Sequence, residues 1–308
     1  MKQPFLSQIR SITSEEYVLP ASSGSSAIIT LLVNCGIAPG SEVIIPSICC
    51  TAVLFAVSMA GFKPVIADVS KEDFCMHAEH ISPLINAHTG AIIAVHAYGR
   101  HSRMDEIEQL AKSKNIFLIE DACLALGGTY NGKPFGSFGD ASIFSFGYDK
   151  IIDAGGGGVI TFREQNMQEK CSKFLDRNAF FSFAGNARAI EDGLKALQEN
   201  LHTRNSNAKY YDNALQSVKV FKPSFSDHLV YWRYAALYLG NRNEMIEAAM
   251  KKGIIITTHY KALHQLRTGE LLPGAEQVSN AVINLFVRPG TPQEQMEKTV
   301  EFINGSSE

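Results

Sequence analysis

Short, fully apolar runs alternate with helix-length segments through the first half of this 308-residue chain. Residues 91–95 (AIIAV) and 116–119 (IFLI) contain no polar side chain, which is typical of strands buried on both faces of a parallel sheet. Residues 79–87 and 104–114, which lie between such runs, predict helices. We therefore predict an α/β fold with a mostly parallel sheet flanked by helices, in which ligands bind where the strands end.

The hydrophobic pattern changes after about residue 163, where helices and strands no longer alternate regularly. The elements predicted there are a long amphipathic helix over residues 188–215, a strand over 229–240, a helix near 244–252, a strand at 253–256 and a helix near 292–303. This change predicts two domains. They are a large α/β domain over residues 1–185 and a smaller C-terminal α+β domain over residues 186–308.

Composition and charge narrow the classes of function. The net charge is −3 with acids and bases mixed, so no run of Lys and Arg predicts a nucleic-acid partner. The six cysteines form no CxxC pair and no zinc spacing, which favours reduced thiols and no metal site. The N-terminus lacks the apolar region of a signal peptide, and no stretch of ~18 apolar residues could span a membrane. We expect a cytoplasmic protein with a small-molecule ligand.

Two polar features stand beside predicted strands and helices in the first half. Ser22-Ser23-Gly24-Ser25-Ser26 directly precedes an apolar helix, and its N–H groups and hydroxyls could bind an anion. An ordinary serine N-cap explains the same pattern. Glu120-Asp121 follows the strand at 116–119, where an acid either faces a ligand or forms a solvated turn.

Two further features follow in the chain. Residues 144–150 (FSFGYDK) end a predicted strand in Ser145 and bring Lys150 five residues later, so a hydroxyl and an amine could share one pocket. A surface lysine is the common alternative. Residues 155–158 are four glycines that lead into a strand, and they permit a close backbone approach or form a flexible turn. They open no helix, which argues against a dinucleotide-binding motif.

In this order, these features resemble one family. The matching segments are SGSSA at 23–27, GIAPGSEVIIPS at 36–47, VHAYG at 95–99, EDA at 120–122 and GSFGD followed by FSF and Lys150 within 136–150. They are similar to the DegT/DnrJ/StrS-type sugar aminotransferases, which are pyridoxal 5'-phosphate (PLP) enzymes of the aspartate-aminotransferase fold, fold type I. Weaker similarity continues through the C-terminal part of the chain.

The resemblance implies two catalytic residues. Lys150 matches the lysine that forms a Schiff base with the cofactor aldehyde and later moves a proton. Asp121 matches the acid that pairs with the pyridine nitrogen and keeps it protonated, which lets the ring accept electrons.

The resemblance also implies the residues that bind the cofactor phosphate. Ser145 and the turn Gly24, Ser25 and Ser26 would hold it through hydroxyls and helix-terminal N–H groups. Asn186 matches a residue that reaches the phosphate from another subunit. The resemblance therefore implies a homodimer with a shared active site.

Three cofactor-facing positions depart from the family pattern. Cys50 stands where an aromatic ring stacks on the cofactor, and Leu124 stands where a glutamine reaches its phenolic oxygen. Gly156 takes the place of a glutamate in the glycine run. These changes make the pocket less polar and alter its substrate side.

Four residues are candidates for contact with substrate. His96 follows a predicted strand, where a buried structural histidine is the alternative. Arg188 could lie at an interface or form a salt bridge at a helix start. His259 and Tyr260 match positions that face the pocket in the family, and a packed loop explains them equally well.

The resemblance implies an aminotransferase for a nucleotide-linked keto sugar, with glutamate as the amino donor, in surface polysaccharide or amino-sugar biosynthesis. Two alternatives stay open. One is a divergent relative that binds PLP or a sugar nucleotide with little or no turnover, and Cys50, Leu124 and Gly156 motivate it. The other is an aminotransferase that acts on a non-sugar substrate.

Overall fold

Strands and helices alternate along the first half of the chain, as the hydrophobic pattern predicts. The computed structural model describes residues 3–267 and 269–306. The strands are β1 (Tyr17–Ala21), β2 (Glu42–Pro46), β3 (Lys63–Ala67), β4 (Thr89–Val95), β5 (Phe117–Asp121), β6 (Thr129–Tyr130), β7 (Lys133–Pro134), β8 (Ala141–Ser145), β9 (Gly158–Phe162), β10 (Val220–Phe221), β11 (Tyr234–Tyr238) and β12 (Val282–Leu285).

Helices cover the strands and form most of the C-terminal part. The α-helices are α1 (Leu6–Thr13), α2 (Gly24–Asn34), α3 (Thr51–Met59), α4 (Ala78–Ile81), α5 (Met104–Lys114), α6 (Gln165–Arg177), α7 (Ala187–Lys195), α8 (Leu197–Ala214), α9 (Arg242–Lys251), α10 (His264–Arg267), α11 (Pro273–Ala281) and α12 (Gln293–Gly305). Within the described ranges, none of these helices combines the length and apolarity that a bilayer span needs.

Seven strands form the central sheet in the order β1-β9-β8-β5-β4-β2-β3. The neighbours from β8 to β3 pair in parallel, whereas β9 runs antiparallel to both β8 and β1. Alternate residues of β2 belong to different core clusters, with Val43 and Ile45 in one and Ile44 in the other. Because successive side chains of a strand point to opposite faces, the sheet is covered on both faces. The predicted α/β sheet is confirmed.

A smaller antiparallel sheet, β10-β11-β12, lies in the C-terminal part. It packs with α8, α9 and α12 around a third core cluster that includes Tyr211, Ala236 and Ile303. The division at residue 185/186 stays a prediction. The outermost residues of its two ranges, 1–2 and 307–308, lie outside the described residues.

Several predicted elements of the chain differ in the structure. The helix predicted over 79–87 is one turn of α-helix followed by a 3-10 turn, Ser82–Leu84, because Pro83 lacks the N–H that a continuing helix needs. The helix predicted over 188–215 is two helices, α7 and α8, that meet at Ala196. Gly193 in the last turn of α7 weakens helix continuity there.

The two strands predicted in the C-terminal part also differ in the structure: one is shorter than predicted, and the other is absent from the described residues. The strand predicted over 229–240 is confined to β11. The strand predicted at 253–256 does not form, and its neighbourhood pairs only through an isolated bridge between Thr257 and Asn284. Gly253 has a φ of +72°, which turns the chain away from an extended path.

Candidate active site

Three segments meet at the carboxyl edge of the central sheet. Asp121 is the last residue of β5 and Ser145 is the last residue of β8, and these strands are parallel neighbours. Gly24 begins α2. A Cβ at Gly24 would lie 3.1 Å from Cys123 Sγ and 3.4 Å from Ser145 Cβ, so α2 starts against both strand ends. Two predicted phosphate-site residues, Gly24 and Ser145, therefore lie side by side.

The start of α2 is held by a capping box. The Ser26 amide donates to Ser23 Oγ at 3.1 Å, and the Ser23 amide donates to Ser26 Oγ at 2.8 Å. Ser26 Oγ also donates to the Ser23 carbonyl at 2.8 Å. The Ser26 hydroxyl is thus used within the helix start, whereas Ser25 is half-buried at the first turn. A helix start without its own carbonyl partners presents N–H groups and a positive dipole end to an anion.

The glycine run packs directly on this helix start. The Gly157 amide donates to the Ser22 carbonyl at 3.1 Å. A Cβ at Gly158 would lie 2.7 Å from the carbonyl carbon and oxygen of Ser23, so a side chain there has no room. Gly156, in contrast, has no heavy atom within 4 Å of a built Cβ. The backbone of the glycine run therefore packs closely against the residues that begin α2, whereas its second position, Gly156, faces open space.

Asp121 presents a buried carboxylate at the sheet edge. Its Oδ1 accepts a hydrogen bond from the Cys123 amide at 3.0 Å, and only 5% of the residue is exposed. Burial raises the pKa of the Cys123 thiol well above its usual value, the Asp121 carboxylate raises it further, and the Lys150 ammonium opposes the rise. Asp121 and Lys150 therefore both act on the same thiol, with opposite signs.

Glu120, the neighbour of Asp121, points to the other face of the sheet. Its carboxylate accepts bonds from His96 Nε2 at 2.9 Å, from Ser142 Oγ at 2.7 Å and from the amides of Gly136 and Phe138 at 3.0 Å each. His96 and Glu120 are both fully buried. The structure thus describes His96 as a structural histidine of the core, and its role toward substrate stays a prediction.

Lys150 stands in the turn after β8. Its amide donates to the Gly147 carbonyl at 3.3 Å, and the residue is partly exposed. The preceding residue, Asp149, has a φ of +59°, in the left-handed region. Lys150 is also one of the charges that lower the pKa of His259, after burial and Arg233. The charge of Lys150 therefore acts both on Cys123, in the loop after β5, and on His259.

Two predicted substrate residues, His259 and Tyr260, lie in an aromatic cluster. Tyr260 packs against Tyr98 and Trp232, with ring centroids 5.2 and 6.4 Å apart, and His259 lies edge-on to Trp232 at 4.6 Å. Burial raises the pKa of Tyr260 well above its usual value, and Tyr98, Cys50, Cys49 and Asp121 add to the rise. His259 and Tyr260 therefore share a neighbourhood with Lys150 and Asp121.

The positions that depart from the family pattern have different environments. Cys50 is exposed and precedes the first residue of α3, whereas Leu124 is buried. The six cysteines, all within the described residues, are free thiols. Across those same residues, no group of three or more His, Cys, Asp or Glu side chains is arranged to hold a metal ion.

Asn186 and Arg188 are turned away from this cluster. Gly185 packs on the backbone of Gly156 and Gly157, so α7 starts near the glycine run. The Asn186 side chain caps α7 by accepting from the Ala189 amide at 3.1 Å. The Arg188 side chain is 92% exposed and lies 3.8 Å from Asp192. Within this chain, neither side chain joins Asp121 and Lys150 at the sheet edge.

The turn after β8 that carries Lys150, residues 147–155, is called the lysine turn. The residues that hold it were not predicted from the sequence. Arg233 forms an ion pair with Asp149, and Trp232 Nε1 donates to the Asp149 carbonyl at 2.5 Å. No motif links these residues, because they lie more than 80 positions apart in the chain. An isolated Asp directly before a candidate lysine was the one available signal.

The residues present fit a PLP-type cofactor. The start of α2 and Ser145 could hold a phosphate, because Gly24 has no side chain to fill the space between them. Asp121 offers a buried carboxylate for a protonated ring nitrogen, and Lys150 offers an amine.

Known proteins resemble this chain in sequence and in fold. The sequence profile of the DegT/DnrJ/EryC1/StrS aminotransferase family matches residues 2–182 and 185–304. GDP-perosamine synthase of Caulobacter vibrioides is 33% identical over 237 residues, which is 71% of this chain and 64% of that protein. The Escherichia coli O157:H7 GDP-perosamine synthase is 37% identical over 159 residues, which is 52% of this chain and 44% of that protein. The chain thus spans less than two thirds of these two relatives.

Other relatives match over nearly the whole chain. The dTDP-3-amino-3,6-dideoxy-alpha-D-galactopyranose transaminase of Aneurinibacillus thermoaerophilus is 26% identical over 321 aligned positions, covering 97% of this chain and 88% of that protein. Helicobacter pylori PseC, an aminotransferase, superposes with a TM-score of 0.91 at 23% identity, covering 99% of this chain and 91% of that one. NtdA of Bacillus subtilis, solved with bound cofactor PMP, superposes with a TM-score of 0.88 at 25% identity, covering 98% and 77%.

The structural likenesses confirm the predicted fold type I, and the profile match confirms the resemblance drawn from the motifs. The match covers both the sheet-edge residues and the C-terminal part of the chain. This chain belongs to the DegT/DnrJ/EryC1/StrS aminotransferase family.

Proposed function

We propose that this protein is a PLP-dependent aminotransferase that transfers an amino group from glutamate to a nucleotide-linked keto sugar. The observation that carries the proposal is the convergence of Asp121, Ser145 and Lys150 at one sheet edge, beside the start of α2. The relatives named for GDP- and dTDP-linked amino sugars support the substrate class. The relative with bound PMP supports the cofactor.

The reaction divides between two residues of this chain. When bound, PLP supplies an aldehyde that can take up an amino group and a ring that accepts electrons from the reacting carbon. Lys150 would hold the cofactor through Nζ, and the same Nζ, once released, would carry a proton to and from the substrate carbon. Asp121 would accept a hydrogen bond from the ring nitrogen and favour its proton, because a buried carboxylate interacts strongly with a nearby positive charge.

The start of α2 and the end of β8 would hold the cofactor phosphate. The Gly24 and Ser25 amides and the Ser145 hydroxyl would donate hydrogen bonds to it, and the dipole of α2 would favour its negative charge. Ser26 contributes indirectly, because its hydroxyl fixes the cap that aims those amides. Gly24 lets the phosphate approach the backbone, where a side chain would meet Cys123.

The substrate side is formed by Cys50, His259 and Tyr260, with Leu124 in the buried wall behind. The small Cys50 side chain would leave more space beside the cofactor than an aromatic ring. We propose that the protein acts as a cytoplasmic homodimer in which Asn186 of a second copy reaches the phosphate. Asn186 and Arg188 are exposed at the start of α7, which leaves both available to a second copy.

A cofactor-binding experiment tests the proposal. The purified protein should gain visible absorbance on addition of PLP, and borohydride should fix the adduct to the peptide that contains Lys150. Lys150→Ala removes the adduct, whereas Lys170→Ala, at an exposed position on α6, retains it. Glutamate should then convert the absorbance, and a panel of nucleotide keto sugars should restore it. An adduct that persists in Lys150→Ala contradicts the lysine assignment.

Each remaining outcome of this experiment points to a defined alternative. Binding of PLP with no response to glutamate contradicts turnover and favours a binding role. Full turnover with free amino acids and keto acids contradicts the sugar-nucleotide substrate.

A further inference from the structure

The turn that carries Lys150 holds a strained residue. Asp149, directly before Lys150, has a φ of +59°. A residue with a side chain adopts this left-handed conformation uncommonly, and it persists where surrounding contacts hold it. Because Asp149 sets the direction in which the chain enters Lys150, whatever holds Asp149 also aims the amine.

Contacts from three directions hold Asp149. Its carboxylate forms an ion pair with Arg233. Its carbonyl accepts from Trp232 Nε1 at 2.5 Å, and its amide donates to Asp153 Oδ2 at 2.9 Å. Asp153 Oδ1 in turn accepts from the Gly155 amide at 3.0 Å. The turn is therefore fixed at one end by its own chain and at the other by the segment before β11.

Arg233 is a rigid holder for this carboxylate. It is only 4% exposed, and its guanidinium lies 4.5 Å from the Trp232 ring centroid and 4.2 Å from that of Phe286. One of its nitrogens donates to the Trp232 carbonyl at 3.3 Å. A planar guanidinium between two aromatic faces loses little further freedom when it binds a carboxylate. Removing either partner would leave a charge in a largely buried place.

We propose that Arg233 is a positioning residue for Lys150: it holds Asp149, and through Asp149 it fixes the direction and the charge environment of the Lys150 amine. This inference rests on the proposed function in one respect, that Lys150 is the lysine that holds the cofactor. It adds a device that reaches the reacting amine from the segment before β11.

The charges around the amine come from several elements. The titratable or charged groups are Asp121 at the end of β5, Cys123 after β5, Asp149 and Asp153 in the turn after β8, Arg233 before β11, His259 two residues after Thr257, and Arg288 after β12. Burial lowers the pKa of His259, Arg233 lowers it further, and Asp149 opposes this. The opposed charges of Arg233 and Asp149 thus already act at a neighbouring side chain.

The test uses variants of the two partners, Arg233 and Asp149, because the proposal predicts that they shift the labelling of Lys150 in opposite directions. Competitive acetylation of the full-length, cofactor-free protein across pH, read by mass spectrometry, gives the pH midpoint for labelling of Lys150. Arg233→Gln leaves Asp149 to favour the ammonium, so the midpoint should rise by about 0.5–1 pH unit. Asp149→Asn leaves Arg233 to oppose the ammonium, so the midpoint should fall by a similar amount. The double variant should return close to the unaltered protein.

Arg288→Gln is the matched control. Arg288 lies 3.9 Å from the same carboxylate, but its side chain is 55% exposed, so its removal should shift the midpoint least. Shifts of one sign in both single variants would mean general loosening and overturn the proposal. No shift in either, or an equal shift in Arg288→Gln, also overturns it.

A further variant separates charge from rigidity. Arg233→Lys keeps the charge and loses the planar stack, so the labelling midpoint should stay while amide hydrogen exchange of residues 147–155 accelerates. If Arg233→Gln does not fold, the predicted fall in Asp149→Asn alone decides. These readouts need no bound cofactor. Failure of borohydride fixation at Lys150 would therefore count against the proposed function and leave the positioning test intact.

Discussion

The two edges of the central sheet use similar residue types in different ways. At the amino edge, a hollow of about 380 Å³ is lined by Glu108, Asp140 and Arg163. Arg163 pairs with Glu108 at 2.6 Å, and Asp140 accepts from the Leu118 amide at 2.8 Å. The charges there are used to join α5 to the strand ends.

The carboxyl edge leaves its groups less engaged with the protein. Asp121 accepts a backbone bond at Oδ1, and Ser145 accepts a long bond of 3.4 Å from Gly147. Lys150 projects from a turn held through its neighbour, Asp149. The difference teaches that a hollow is a weak sign of a site, whereas buried polar groups with few protein partners at the strand ends are a strong one.

We expect the largest effect on activity from a substitution at Asp121. Asp121→Asn should reduce aminotransferase activity by about 10²–10³-fold, the range seen when one preorganised electrostatic group is lost. The stability of the Asp121→Asn variant to urea should change little, because the Asn side-chain oxygen can still accept from the Cys123 amide. Steady-state kinetics and urea unfolding measure both. A variant that unfolds readily would show that Asp121 is a structural group, like the charges of the amino edge.

The neighbouring acid should behave in the reverse way. Glu120 accepts four hydrogen bonds in a fully buried place, and Glu120→Gln would replace one of its two acceptor oxygens with an NH2 donor, facing either His96 or the three donors at Oε2. We expect a loss of about 3 kcal/mol in the free energy of unfolding. Urea unfolding measures it, and Asp121→Asn is the control. A stable Glu120→Gln variant would remove the distinction between the two faces of β5.

The sequence predicted the carboxyl edge because its residues follow apolar strands. Parallel strands end at one edge, so Asp121 and Ser145 were expected at the same edge once the strands were recognised, and the strand order then makes β5 and β8 neighbours. Their roles came from the family resemblance, since spacing alone left each residue with an ordinary alternative. The start of α2 was also recognised, although the sequence could not tell that the Ser26 hydroxyl is used within the cap.

What escaped prediction depends on contacts between distant segments. Arg233 and Asp149 are 84 positions apart, and neither lies in a periodic pattern that would pair them. The strand predicted at 253–256 has alternating burial, yet it lacks a partner strand along its length. The spacing of apolar residues indicates which face of a helix or strand is buried, but it does not indicate which segment packs against that face.

The amino edge allows a test by pH. Burial would raise the pKa of Glu108, but hydrogen bonds from Arg163 and the Gly139 amide, together with the charge of Arg163, lower it below its usual value. A carboxylate with a lowered pKa in the folded state stabilises that state above the pKa of the unfolded chain. The stabilisation is lost as the pH falls through the folded-state value.

Arg163→Gln should therefore destabilise the protein by about 1 kcal/mol at pH 7, reduced by salt because Arg163 is partly exposed. The difference from the unaltered protein should shrink as the pH falls below the ordinary pKa of a glutamate and then through the lowered folded-state pKa of Glu108, because protonation of the carboxylate removes the ion pair. Urea unfolding from pH 7 to pH 3 measures it, with Arg288→Gln as the control at the other edge. Aminotransferase activity at pH 7 should stay within about twofold, because this ion pair lies across the sheet from Lys150. A large loss of activity in Arg163→Gln would show that the two edges are coupled. It would contradict the distinction between structural charges at the amino edge and functional groups at the carboxyl edge.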